Sequence, residues 1–405
     1  MMLIGKNRAS LNLSFLIIVF IGLLYSKALI SIGMLLIGLI GLIIPNYKTT
    51  LFKLKKHPLL IAWMLIFVIH LFSGFNSTDT VIWLGKLKMK LPFLLLPFAL
   101  VSIPEVEQGE KRLKRIVLLF STVLIASSIP IWLELFSSYE QVIIKYSQGK
   151  VLTTPINHIR YSILIVVLLY LNLYQWTRVK AKVFLFISIY LFALLHVLAV
   201  RSGLMCFYIT ALCWIVFEVR QNRNWKLLVI GSSLLVLSIA SISYFLPTIS
   251  KKVEYSLYDA QSYLKGAKDV DVYSDAKRIV SYKIGWQTFK DHFWFGTGIG
   301  DLQSVIEQTY IDQYPGFAPE QRIMPHNQFL RYLTAFGIFG GLLFIAIAFL
   351  PFFAVKNDLP LYLFNIIMIC SFMIEGTIEN QIGLSLFIMF NAMLYYFHRL
   401  KLLHD

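Results

Sequence analysis

The stretch 322–341, RIMPHNQFLRYLTAFGIFGG, carries a polar segment into an apolar run that continues to about residue 354. A run of that length crosses a hydrocarbon layer of about 30 Å as a helix, so the junction reads as the rim of a membrane span. Working outward, eleven further apolar stretches can be read, at about 12–25, 28–45, 58–73, 88–104, 114–136, 161–176, 182–200, 203–219, 227–247, 359–377 and 382–398. Composition agrees, because 58% hydrophobic residues, 14% charged residues and a mean hydropathy of +0.71 describe a membrane protein rather than a soluble core. The expected fold is an all-α integral membrane protein of about twelve transmembrane helices. It forms one polytopic domain over residues 1–405, with one large insertion, residues 248–328, between the ninth and tenth spans. The fourth span leaves open whether it crosses fully, since Lys86, Lys88 and Lys90 precede a short core that holds Pro92 and Pro97.

Orientation follows from lysine and arginine in the short loops. With the N-terminus inside, one side collects 19 such residues, from Lys6 and Arg8 through Lys111, Arg112, Lys114 and Arg115 to Arg399 and Lys401. The other side holds eight: Lys27, Lys86, Lys88, Lys90, Lys145, Lys150, Arg160 and Arg201. Both termini are therefore expected in the cytoplasm and the 248–328 insertion outside. The net charge of +16 is mostly this belt, and its dispersal among apolar spans argues against nucleic acid as a partner. The first apolar run leads directly into the second, so it reads as an insertion signal in itself rather than a cleavable peptide. Cys206, Cys213 and Cys370 fall inside spans and read as small packing residues.

Pro325-His326-Asn327 lies where the polar loop meets the span. An imidazole there can take a proton from an acceptor hydroxyl at neutral pH beside a lipid-borne substrate, although alone it reads more readily as an interfacial cap. Three arginines can face the same side, although each alone reads as an interfacial arginine that binds headgroups. Arg201, in LLHVLAVRSGLMCFY, has apolar neighbours on both sides, which is costly for a guanidinium unless it meets an anion or water. Arg160, in TTPINHIRYSILIV, enters the sixth span, and Arg278 opens the segment SDAKRIVSYKIGWQTFKDHFWFGTGIGD. That segment has Ile279, Ile284 and Phe289 among Trp286 and Trp294, as in an amphipathic helix at the membrane surface, and Gly296, Gly298 and Gly300 then break it. The alternating glycines suit a turn, and only weakly a phosphate loop. Together with His326 the arginines suit a diphosphate, because guanidinium forks bind phosphate oxygens bidentately. Glu375 and Glu379, four apart, are expected on one helical face near the end of the eleventh span, pairing with an arginine or binding sugar hydroxyls. Asp269 and Asp271 form a DxD pair in a solvated acidic loop, which reads as structural rather than metal-binding. His158 and His196 read as packed or hydrogen-bonded histidines.

Three segments of this chain resemble the O-antigen ligase and polymerase superfamily of bacterial membrane glycosyltransferases. PHNQFLRYLTAFGIFGG is similar to that family's Pro-His-Asn stretch, RSGLMCFYITAL to its arginine-led span, and RIVSYKIGWQTFKDHFWFGTGIGD to its Arg-Trp-Gly loop. The resemblance implies a GT-C-like arrangement in the bacterial inner membrane, with the active site on the periplasmic face. It implies transfer of a glycan from undecaprenyl diphosphate to an acceptor such as lipid A core or another glycan, inverting, with no metal and no cofactor. His326 would be the catalytic base, with Asn327 beside it, and Arg201 and Arg278 would bind the diphosphate; Arg160 matches less closely. Val200 stands where the family commonly has serine before the arginine. A repeat-unit polymerase is the alternative within the family, and a polytopic transporter the alternative from another class.

Overall fold

The computed structural model describes residues 2–42, 47–102, 109–147, 150–223, 225–245, 274–355 and 358–402, and among these every regular element is helical. Sixteen α-helices follow one another: α1 Met2–Tyr25, α2 Lys27–Leu42, α3 Tyr47–Lys55, α4 Pro58–Phe72, α5 Thr80–Ser102, α6 Gly109–Ser137, α7 Tyr139–Ser147, α8 His158–Val179, α9 Lys182–Leu198, α10 Arg201–Asn222, α11 Trp225–Phe245, α12 Ser274–Asp291, α13 Leu302–Gln313, α14 Gln328–Ala354, α15 Leu359–Ile374 and α16 Gln381–Leu402. Five are long and apolar enough to cross a membrane: Pro58–Asn76 (α4 with the 3₁₀ turn after it), Glu110–Ser137, His158–Val179, Arg201–Asn222 and Gln328–Ala354. Shorter apolar helices cover Ser14–Tyr25, Lys27–Gly41, Lys182–Leu198, Leu228–Ser238 and Leu359–Ile374. The Asp269 and Asp271 pair lies outside the described residues.

Helix α8 sits at the centre. Its run SILIVVLLYL has no polar face, and every side chain from Tyr161 to Asn172 is buried against α6, α9, α10, α15 and α16. Its start is fixed by Asn157, whose side-chain oxygen accepts from the Ile159 amide at 3.0 Å. Helix α5 is exposed along much of its first half and buried in its second. It packs between α2, α4 and α16, and Lys90, read from the sequence as a loop charge, is fully buried inside it.

The tenth span is not one rod. At Gly337 the backbone takes φ +66° and ψ −167°, and the chain reverses. The rings of Phe329 and Phe349 lie 6.5 Å apart and those of Tyr332 and Phe344 3.9 Å. In a straight helix twenty residues rise about 30 Å, so the limb 328–336 must fold back on the limb 338–354. A reversal exposes the last carbonyls of one limb and the first amides of the other, which apolar surroundings do not tolerate. The loop after α12 pairs with them. Thr297 and Gly298 donate their amides to the carbonyls of Thr334 and Ala335, each at 3.0 Å, and the Ile338 amide donates to Phe293 at 2.8 Å.

This accounts for the glycines after α12. Gly296 and Gly298 have φ of +72° and +78°, and a Cβ on Gly298 would strike the Asn76 carbonyl. Their amides serve protein backbone rather than a phosphate. The same loop docks on residues 73–79 through Asp301, whose carboxylate accepts from the Thr78 amide (2.6 Å), the Thr78 hydroxyl (2.9 Å) and the Asp79 amide (2.9 Å). Partial burial pushes the Asp301 carboxyl up, but these three bonds outweigh it and hold it below the usual aspartate value.

Candidate active site

His326 leads into α14. Asn327 caps that helix, its side-chain oxygen accepting from the Leu330 amide at 2.9 Å while its amide group donates to the Met373 carbonyl at 3.2 Å. The cap therefore fixes both the start of the limb and its seat on the end of α15. The Tyr282 hydroxyl of α12 donates to the His326 carbonyl at 3.0 Å, and Gly285, one turn on, packs so closely on Pro325 that a Cβ would lie 2.6 Å from its ring. The His326 backbone is thus clamped from two sides.

The side chain is held by an acid. His326 Nδ1 lies 3.2 Å from Glu375 Oε2, and Arg160 Nη2 lies 3.8 Å from Glu375 Oε1, with the three side chains 23%, 13% and 16% exposed for His326, Glu375 and Arg160. The Arg160 guanidinium sets a positive charge beside this partly buried carboxylate. A carboxylate on Nδ1 favours the tautomer whose Nε2 lone pair is available to accept a proton.

The two glutamates do not share a helical face. Helix α15 ends at Ile374, Glu375 is extended (φ −155°, ψ 151°), and a 3₁₀ turn covers Thr377–Glu379. The physical reason is that the helix stops between them; the Arg331 side chain lies over Gly376, its Cζ 2.6 Å from where a Cβ would be, and donates Nε to the Pro325 carbonyl at 2.6 Å. Glu375 turns to His326 and Arg160. Glu379 turns away, accepting from the Gln328 amide at 2.7 Å and pairing with Lys90 Nζ at 3.7 Å.

The elements that carry the three predicted arginines meet toward one end of the bundle. Gly203 packs on Ser162, a Cβ there coming within 2.5 Å of the serine, so Arg201 at the start of α10 lies at the same end as Arg160 in the first turn of α8. Arg201 is exposed. Arg278 stands one helical turn before Tyr282 and so shares the face of α12 that bonds to the His326 backbone. His196 is a packed histidine, bonded to the Phe192 carbonyl at 2.7 Å and the Tyr208 hydroxyl at 3.0 Å. Arg331, Gln328 and Lys90 were not singled out from the sequence. Arg331 stands three residues inside an apolar run, the same signal that marked Arg201; Lys90 was hidden among three lysines that read as a topological charge. Among the described residues no group of three or more His, Cys, Asp or Glu side chains could hold a metal ion.

A base held by a carboxylate, with guanidinium groups at the same end, can move a proton and receive an anion. Comparison with curated proteins finds no match. A family model described as O-antigen ligase matches residues 142–345, half of the 405-residue chain, and this region contains His326, Arg160, Arg201 and Arg278. The match has the residues that the geometry brings to one end of the bundle, and the chain belongs to the O-antigen ligase family.

Proposed function

We propose that this chain is a glycosyltransferase that moves a glycan from undecaprenyl diphosphate to a hydroxyl of an acceptor such as lipid A core, on the periplasmic face of the inner membrane. The observation that carries the reading is the contact of His326 Nδ1 with Glu375, itself paired with Arg160. In this reading the acceptor O–H gives its proton to His326 Nε2 as its oxygen attacks the anomeric carbon. The bond from that carbon to the diphosphate breaks on the opposite face with inversion, and the electron pair leaves with the diphosphate. Arg160, Arg201 and Arg278 receive the departing charge, which removes the need for a protein acid. Twelve crossings with both termini cytoplasmic are consistent with the charge belt and put His326 on the periplasmic face.

Deletion of the gene tests the acceptor. A bare lipid A core with long glycan stranded on its carrier is expected, whereas a core carrying a single repeat would make the chain a polymerase. Complementation tests the residues. His326→Ala should restore no transfer although the protein is present and folded, Arg278→Lys should lose most activity because lysine cannot form the fork, and wild type should keep full activity in EDTA. Full complementation by His326→Ala would remove the base and sink the mechanism.

A further inference from the structure

Lys90 is a lysine with no exposed surface, in the middle of α5, outside the segment matched by the family model. Burying an ammonium group is costly, and its partners here are few and specific. Nζ donates to the Ile378 carbonyl at 2.6 Å and lies 3.7 Å from Glu379 Oε1. Gln328 closes the arrangement. Its amide donates to Glu379 at 2.7 Å and its side-chain oxygen accepts from the Ile378 amide at 3.0 Å. Lysine, glutamine and the 377–379 turn therefore form one clasp, in which both backbone groups of Ile378 are engaged by side chains from other elements.

The clasp joins the two halves of the proton-accepting pair. Gln328 is two residues after His326, and Ile378 is three residues after Glu375, so the side chains in contact at 3.2 Å belong to segments tied together just behind them. Nothing else in the turn is regular: Glu375 and Asn380 are extended and only 377–379 make a 3₁₀ turn. Without an outside tie a stretch of this kind samples many conformations. Arg331 over Gly376 and the Ser371–Thr377 hydroxyl pair hold one side of it; Gln328 and Lys90, on the two backbone groups of Ile378, hold the other.

We infer that Lys90 is a positioning residue of the transferase, fixing the 375–380 turn through the Ile378 carbonyl and Glu379 so that Glu375 meets His326. The inference rests on the proposed role of His326 and adds to it a residue from an element that contributes no group to the reacting atoms. Lys90 acts on the rate of the chemical step through geometry, and substrate binding is left to the arginines.

Two readouts on purified full-length protein test this, one of them independent of transfer. Amide exchange at Ile378 reports the clasp directly. Lys90→Met should speed exchange across 375–380 about tenfold while α8 and α9 keep wild-type protection, and should lower kcat at least tenfold with KM within about twofold. Lys90→Arg, which can still donate to a carbonyl and a carboxylate, should recover part of both. Unchanged exchange at Ile378 in a folded Lys90→Met protein overturns the inference, as does a rise in exchange spread evenly over the whole bundle, which would make Lys90 a general packing residue. His326→Ala separates the two ideas: if it keeps transfer activity, the base role of His326 falls, and the exchange result still judges Lys90.

Discussion

Glu375 holds the imidazole of His326 with one oxygen and meets Arg160 with the other, so in the proposed mechanism a single carboxylate would couple base and anion site. Glu375→Gln keeps the shape but removes the charge that orders the imidazole tautomer. The expected loss in transfer rate is about 10²-fold or more, with the protein still folded, because misoriented bases in comparable dyads lose on that scale. A rate within threefold of wild type would show that the tautomer is set elsewhere. At this scale the sequence was informative where a residue type was out of place. His326, Arg201 and Arg160 stand out against apolar neighbours. Lys90 did not, because a lysine near a span end has an ordinary explanation and its acid partner is far away in the chain. The expectation that Glu375 and Glu379 share a helix face failed because spacing of four means one face only while the helix continues, and α15 stops at Ile374.

The reversal of α14 at Gly337 could not be read locally. In an apolar run, a glycine flanked by phenylalanine and isoleucine looks like a tolerated helical residue, and the groups that satisfy the broken backbone come from residues 293–298, far from it in sequence. A Cβ at Gly337 would strike the Trp294 carbonyl, and φ of +66° disfavours any other residue. Gly337→Ala should therefore lose about 1–3 kcal/mol or more, as strained backbone positions do, and lower the melting temperature in detergent. Gly316→Ala is the control, since open space surrounds that position. Equal melting temperatures for the two would mean the limb can straighten without cost. By contrast α12 and the break after it were legible, from apolar residues at helical spacing followed by three glycines.

For the whole molecule, each apolar stretch coincides with helix over most of its described residues, and five of the helices are long and apolar enough to cross a membrane. What they did not foretell is which helices are continuous, since hydropathy sees side chains and the reversal is a backbone event. The orientation remains a matter of charge. A thiol introduced at Asp312, an exposed position, should react with a membrane-impermeant label in intact cells, while thiols at Lys55 and Arg223 should react only after the membrane is opened. Labelling at Lys55 in intact cells would invert the proposed topology. The fold at Gly337 also carries a consequence for how the chain is made. Residues 73–79 and 293–301 leave the ribosome before 334–338, and about 40 residues separate Gly298 from Ile338, some seconds of synthesis at about 5–20 residues per second. The acceptors and donors that the reversal needs are thus already in place when it emerges, and the order of synthesis favours the bent form over a straight 27-residue helix.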